Sequence, residues 1–242
     1  MDLRTGDAFA GPARERSAWL IPLAVFIVTA TLTAAFLAYY LFGSRFLGPE
    51  TPAPTDSAEI VALSIGGTGF HIPANYIVFA SQRQGGPLET LDMVALLPDL
   101  QGYTIDAAEK FSSDQPDSAV LNLSLAGDRV AMTEGEKLER IYMPHVTNPE
   151  GAAGPFGLTE YAFSAESGYG DEVLFVSFSS NRPILFLCVQ DSAGYNAPTC
   201  QSTISFGSGL SLTYRFKRLH LERWNDIDAG VRALLGAFAD KL

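Results

Sequence analysis

Ala18–Phe42 reads AWLIPLAVFIVTATLTAAFLAYYLF, 25 residues without a charge. As a helix it spans ~37 Å, enough to cross a ~30 Å hydrocarbon core with some tilt. A water-soluble helix rarely stays uncharged for so long, because its outer face must be solvated. Trp19 stands at one end and Tyr39 and Tyr40 at the other, where amphipathic rings suit the two interfacial belts. Pro22 falls in the first turn or so, where a missing N–H costs little. The run is longer than the apolar core of a cleaved signal peptide, which holds about 7–15 residues. It ends in bulky Tyr39-Tyr40-Leu41-Phe42, not in a small-x-small cleavage site. The reading is a retained transmembrane helix at 18–42, preceded by a cytoplasmic tail at 1–17.

Basic residues set the orientation. Arg4, Arg14 and Arg16 precede the run, Arg45 follows it, and the next basic residue is Arg83. The positive-inside rule then places the N-terminus in the cytoplasm and exports the rest of the chain. In a Gram-negative source this is an inner-membrane protein with a periplasmic domain. Ala30, Ala34 and Ala38 recur at four-residue steps and share one helix face, flanked by Thr31 and Ala35. Small residues so spaced let two membrane helices approach closely, so this face is a candidate for helix packing. Leu32, Phe36 and Leu37 lie opposite, suited to lipid.

Residues 43–57 read as a linker. Within it Gly48–Ser57, GPETPAPTDS, carries three prolines. Such a segment is stiff and extended at ~3.1 Å per residue, a spacer of ~30 Å. The exported domain is then 58–242. The charge of the chain is −11, and residues 46–242 hold 24 acids against 12 bases. An acidic domain repels phosphate backbones and anionic lipid, which excludes nucleic acid as a partner and holds the domain off the bilayer.

The domain pattern is α+β. Ile60–Ile65, Leu91–Leu97 and Ala119–Leu125 have strand length and composition, and Asp106–Phe111 and Gly135–Tyr142 suit short helices. Leu158–Ala165, Val173–Ser179, Ile184–Gln190, Thr199–Phe206 and Leu210–Phe216 follow as strands across mostly short turns, the signature of an antiparallel meander. Trp224, Ile227, Val231, Leu234, Leu235 and Phe238 form the apolar stripe of a C-terminal helix capped by Asn225 or Asp226. Asp228, Arg232 and Asp240 are assigned to its polar face. The stripe is expected to pack across the meander.

Cys188 ends one strand and Cys200 begins the next, with Gly194 six residues from each. Near-opposite hairpin positions in an exported domain predict one disulfide.

No motif for chemistry emerges. His71, His145 and His220 are isolated from further metal ligands in sequence. Gly66-Gly67-Thr68-Gly69 lacks the P-loop lysine and a following helix, and reads as a turn. Ser208 in Gly-Ser-Gly is not a nucleophile elbow. Glu134/Glu136 and Asp226/Asp228 are carboxylate pairs that an acidic chain supplies by chance. No cofactor is expected. The one unusual feature is a basic group, Arg215, Lys217, Arg218, His220 and Arg223, a candidate patch for an anion or a partner.

The stretch Tyr214-Arg-Phe-Lys-Arg-Leu-His-Leu-Glu-Arg-Trp-Asn-Asp-Ile-Asp-Ala-Gly-Val-Arg-Ala-Leu-Leu235 resembles the C-terminal end of uncharacterised, single-pass membrane-anchored proteins of proteobacteria, and Ile72-Pro-Ala-Asn-Tyr-Ile77 and Leu97-Pro-Asp-Leu100 add to the resemblance. It implies a bacterial inner-membrane protein and supplies no site residues. The functional expectation is a non-enzymatic protein-interaction module of the cell envelope. A periplasmic immunity-type protein is one form of it. An accessory subunit of a membrane complex and a hydrolase without a recognisable motif are the alternatives.

Overall fold

The computed structural model describes residues 19–47, 50–128, 132–179, 181–190, 194, 196–207 and 209–240. They fall into two units, one holding an apolar helix and the other spanning Thr51–Leu242.

The helix, α1, runs Leu20–Leu47, and Leu20–Tyr40 is long and apolar enough to cross a membrane. Its threonine hydroxyls are satisfied internally. Thr29 Oγ1 donates to the Val25 carbonyl (2.9 Å), Thr31 Oγ1 to Ile27 (2.7 Å) and Thr33 Oγ1 to Thr29 (2.8 Å). Bonds to the carbonyl four residues back let threonine sit in an apolar helix without an orphan donor. The helix continues five residues past Phe42, through Gly43 and Ser44. Neither residue is a sufficient breaker; the first strong stop in the sequence is Gly48-Pro49.

The second unit begins earlier than the composition suggests. The Ala53 N–H donates to the Val78 carbonyl (3.0 Å), and Arg83 Nη2 donates to the Ala53 carbonyl (2.7 Å). Part of the Pro-rich segment is thus docked on the domain, so it is not a free spacer over its whole length.

A three-stranded sheet comes first, in the order β2-β1-β3. It contains β1 (Ile60–Ile65), β2 (Thr68–Pro73) and β3 (Gly86–Leu88). Gly66 and Gly67 make the β1–β2 turn with φ of 57° and 88°. A two-residue hairpin of this kind needs φ > 0 at both positions, which glycine allows without strain.

The main sheet has eight strands, all antiparallel to their neighbours, in the order β4-β5-β11-β10-β9-β8-β7-β6. The strands are β4 (Thr90–Leu96), β5 (Val120–Gly127), β6 (Ala152–Ala153), β7 (Thr159–Ala162), β8 (Glu172–Ser177), β9 (Ile184–Val189), β10 (Thr199–Phe206) and β11 (Leu210–Lys217). Strands β7 to β11 form the meander, and β11 then pairs with the distant β5. Helical segments are short: α2 (Ala108–Phe111), α3 (Glu134–Lys137) running into a π-helical turn at Leu138–Tyr142, and the C-terminal α4 (Trp224–Phe238).

Two apolar cores flank the main sheet. The larger joins the small sheet, α4 and one face of the main sheet, with Phe70, Phe186, Tyr214 and Phe216 at its centre. The smaller lies on the other face beneath Leu138–Val146 and holds Tyr161, Phe163, Leu174, Val176 and Leu185.

Two expectations about α4 need correction. Neither Asn225 nor Asp226 caps it. The chain enters through a 3-10 turn at Arg218–Arg223, and the Trp224 N–H already bonds the Leu221 carbonyl, so the turn does the capping. Asp228 is not on a solvated face but 5% exposed. It sits one turn from Trp224 and one from Val231, which puts it on the apolar stripe.

Cys188 and Cys200 face each other across β9 and β10 and are joined by a disulfide. Closing this loop of 12 residues stabilises the domain by about 3 kcal/mol in the chain-entropy account. Cys188→Ala/Cys200→Ala should lower the urea unfolding free energy by that amount, and dithiothreitol should do the same to the native chain. An unchanged midpoint in both would contradict it.

Candidate functional site

The face of the main sheet opposite the larger core is covered over only half its width. One row of directly paired residues crosses seven strands: Tyr161, Leu174, Leu187, Gln201, Arg215, Asn122 and Val94. The first two lie in the smaller core and Leu187 packs against it. From Gln201 to Asn122 the row is polar, before it ends at Val94. The next rows are Thr203, Thr213, Ser124 and Asp92, then Ser205, Ser211, Ala126 and Thr90. This half-face therefore carries short hydroxyl and amide side chains, with Thr203 Oγ1 and Thr213 Oγ1 bonded at 2.9 Å.

A cavity of about 740 Å³ opens on it, walled by Asp114–Pro116, Glu172, Leu187, Val189, Asn196–Thr199, Gln201, Arg215 and Lys217. Two smaller cavities, about 400 and 330 Å³, adjoin, and Arg215 lines all three. Arg215 Nη2 donates to Gln201 Oε1 at 2.7 Å. Lys217, 13% exposed, is paired with Asp114, whose side chain is 94% exposed.

The basic residues do not form one patch. Arg215 and Lys217 alternate with the buried Phe216 and face the cavity. Arg218 instead donates Nη1 to the Val189 carbonyl (2.8 Å) and lies 5.6 Å from the centre of the Phe175 ring, a residue of the larger core. His220 Nε2 meets the Ser118 carbonyl at 3.0 Å, and Arg223, at the entry to α4, pairs with Asp226 in the first turn of that helix at 3.7 Å. Alternation along β11 and the turn after it divide the cluster between surfaces. Ala30, Ala34 and Ala38 are exposed on α1. The three histidines sit apart, and among the described residues no group of acids, histidines and cysteines is arranged to hold a metal ion.

The carboxylates that sequence reasoning took as incidental have defined places. Strands β9 and β10 pair only at Cys188–Cys200 and Leu187–Gln201, then diverge. Segment α3 closes the gap. Glu134, 1% exposed, accepts from the Ser205 N–H (3.1 Å), and Lys137 Nζ donates to the Thr203 carbonyl (3.3 Å). These side chains satisfy backbone groups that a continued ladder would have paired. Thr133 and Glu136 make a reciprocal capping box at the start of α3; the T-x-x-E spacing is its signal in the sequence. The backbone bond from Thr133 holds the Glu136 carboxyl below the usual range.

From the other side, Arg232 donates Nε to Asp228 Oδ2 (2.8 Å) and reaches Glu134 Oε1 at 3.7 Å, while Tyr214 Oη donates to Asp228 Oδ1 (2.8 Å). Burial first, and then the Asp228 charge, push the Tyr214 phenol well above its ordinary value. It stays a donor. Enclosed as it is, this network fixes α4, the sheet and α3 together.

Both ends of the sheet are closed to strand addition. At β4 the Val78 N–H bonds the Asp92 carbonyl, Gln82 bonds the Asp92 N–H and the Thr90 carbonyl, and Gln101 pairs with Leu96. The opposite edge is the two-residue β6. Blocked and short edges resist edge-on pairing. The polar half-face of the main sheet stays open.

No family model matches the sequence, and no curated protein matches it. The fold has a solved counterpart. An immunity protein of the Stenotrophomonas maltophilia type IV secretion system aligns with a TM-score of 0.55 at 18% identity, over 76% of this chain and 95% of that one. The likeness is one of fold; function resides in the site built upon it.

Glu172 lies at the far end of the main cavity. Burial, and then neighbouring Asp171, raise its carboxyl above the ordinary value. A carboxyl raised in the folded state contributes most when protonated. Its contribution is full below the unfolded value, about 4.3, and is lost as pH rises through the folded value. Glu172→Gln should therefore raise Tm at pH 7 and have no effect near pH 3.5. Equal Tm values at pH 7 would contradict this.

Proposed function

We propose that this protein is a membrane-anchored binding module of the bacterial envelope, of the immunity type, that holds a protein partner on the periplasmic side of the inner membrane. The observation that carries the reading is the open polar half-face, with its cavity of about 740 Å³ on a disulfide-bonded, edge-blocked sheet. The polar side chains on the cavity wall offer hydrogen-bond partners to the side chains of a bound protein. The apolar helix and the arginine bias before it support an anchor at 18–42 with the N-terminus in the cytoplasm. The fold shared with an immunity protein supports the same reading. The edges of the main sheet are covered or short, so recognition on its open face takes place through side chains.

The test is site-specific photocrosslinking in native membranes. A photoreactive residue at Thr213, on the open face, should capture one protein, and the same residue at exposed Ile105 should not. No adduct from Thr213, or equal adducts from both, would count against the reading. Orientation is checked alongside, by a C-terminal reporter active only in the periplasm.

A further inference from the structure

We infer that Arg215 is the anchor of this docking face and that it receives a carboxylate, the side chain of an Asp or Glu on the protein partner. The inference rests on the binding-module reading and specifies the chemistry of its partner.

Arg215 is poised for such a contact and lacks one. It is exposed, and among the described residues its one hydrogen bond goes to Gln201 Oε1. A guanidinium carries five donors in a planar fork matched to a carboxylate. Gln201 takes one of them and orients the rest, so little rotamer freedom is left to lose on binding. The shortage of acid partners is not compositional, since 24 acids accompany 12 bases in residues 46–242. The acids around the face are committed or distant. Asp114 is paired with Lys217. Asp92 Oδ2 accepts from Gln82 Nε2 at 3.3 Å. Glu172 is on β8, three strand steps from β11, or ~14 Å at the usual spacing.

Position adds to this. Arg215 sits in the middle of the polar part of the cross-sheet row and borders all three cavities. Its neighbours Asn122 and Thr213 are short, leaving space above the guanidinium. Central arginines surrounded by small contacts are frequent binding hot spots. Two residues along the same strand, Lys217 already holds a carboxylate, that of the exposed Asp114. The charge of −12 over residues 46–242 opposes densely charged phosphate surfaces more than it opposes a single carboxylate presented by a protein partner.

The full chain in lipid nanodiscs is used to select from a displayed library of random dodecapeptides. The selected sequences should share an Asp or Glu at one fixed position. Binding of a selected peptide should fall about tenfold or more with Arg215→Gln, or when that peptide acid becomes its amide. Combining the two changes should add little, since both remove one contact. Arg223→Gln, elsewhere in the basic segment, should bind as the native chain does. A consensus without an acid, or equal binding by Arg215→Gln, overturns the inference. If Arg215→Gln still forms the native crosslink from Thr213 in full yield, the docking face stands and the role of Arg215 falls. If no variant forms that crosslink, the binding-module reading itself falls.

Discussion

Asp228→Ala should destabilise the domain by about 3–5 kcal/mol, a large part of the about 5–15 kcal/mol that holds a typical domain folded. The carboxylate is 5% exposed and accepts from both Tyr214 Oη and Arg232 Nε. Alanine leaves a phenol without its acceptor and a half-buried guanidinium without its nearest counter-charge. Glu134 is 3.7 Å from Arg232 and is itself tied to the Ser205 N–H, so it offers partial compensation at most. Asp228→Asn keeps an acceptor for Tyr214 and loses the charge opposite Arg232, so its loss should be smaller, about 1–3 kcal/mol. Tyr214→Phe with Asp228→Asn should show strong non-additivity, because the two side chains share one bond. Urea unfolding followed by near-ultraviolet circular dichroism measures all four. Equal stability of Asp228→Ala and the native chain would mean that the network is not what locks α4 to the sheet.

Deleting residues 1–47 should move the protein completely from the membrane pellet to the soluble fraction while the domain keeps its fold. Both hydrophobic cores and the disulfide lie within Thr51–Leu242, so nothing the domain buries is removed. The helix contributes ten Leu, Ile, Val and Phe residues between Leu20 and Leu37. At the insertion energies of such residues they favour the bilayer by roughly 3–6 kcal/mol. The three threonines do not offset this, because each hydroxyl is bonded to a carbonyl of its own helix. Carbonate extraction and sedimentation of the two forms, with thermal melts of the soluble one, decide the matter. A full-length chain extracted by carbonate would contradict the anchor.

Local regularities were legible in the sequence, and pairings across long separations were not. Along β11 the alternation Leu210, Leu212, Tyr214, Phe216 against Ser211, Thr213, Arg215, Lys217 shows the strand and its two faces. It does not show that β11 pairs with β5, which ends at Gly127. The open half-face exists because those strands meet, so its rows could not be assembled from any one segment. Strand β2 was missed because Thr68-Gly69-Phe70-His71-Ile72-Pro73 is short and bracketed by glycine and proline.

Equating charge with exposure puts Asp228 on the wrong side of α4. Helical spacing alone puts it beside Val231 and Trp224. Glu134 gave no signal, because its task is set by a divergence of β9 from β10 that no local pattern announces. The basic cluster is one run in sequence and four environments in space, with Arg215 and Lys217 on the open face, Arg218 over Phe175, His220 at the Ser118 carbonyl and Arg223 at the entry to α4.

In the proposed immunity role, a partner bound on the open face is kept from harming the cell. This role is tested most directly by survival in contact culture. A strain lacking this protein is grown on a surface against its unmodified siblings, and viable counts are followed. The deletion strain should lose viability only in contact. The full-length chain should restore it, while chains with Arg215→Gln or without residues 1–47 restore it poorly. Undiminished survival of the deletion strain in contact with its siblings would contradict the immunity reading.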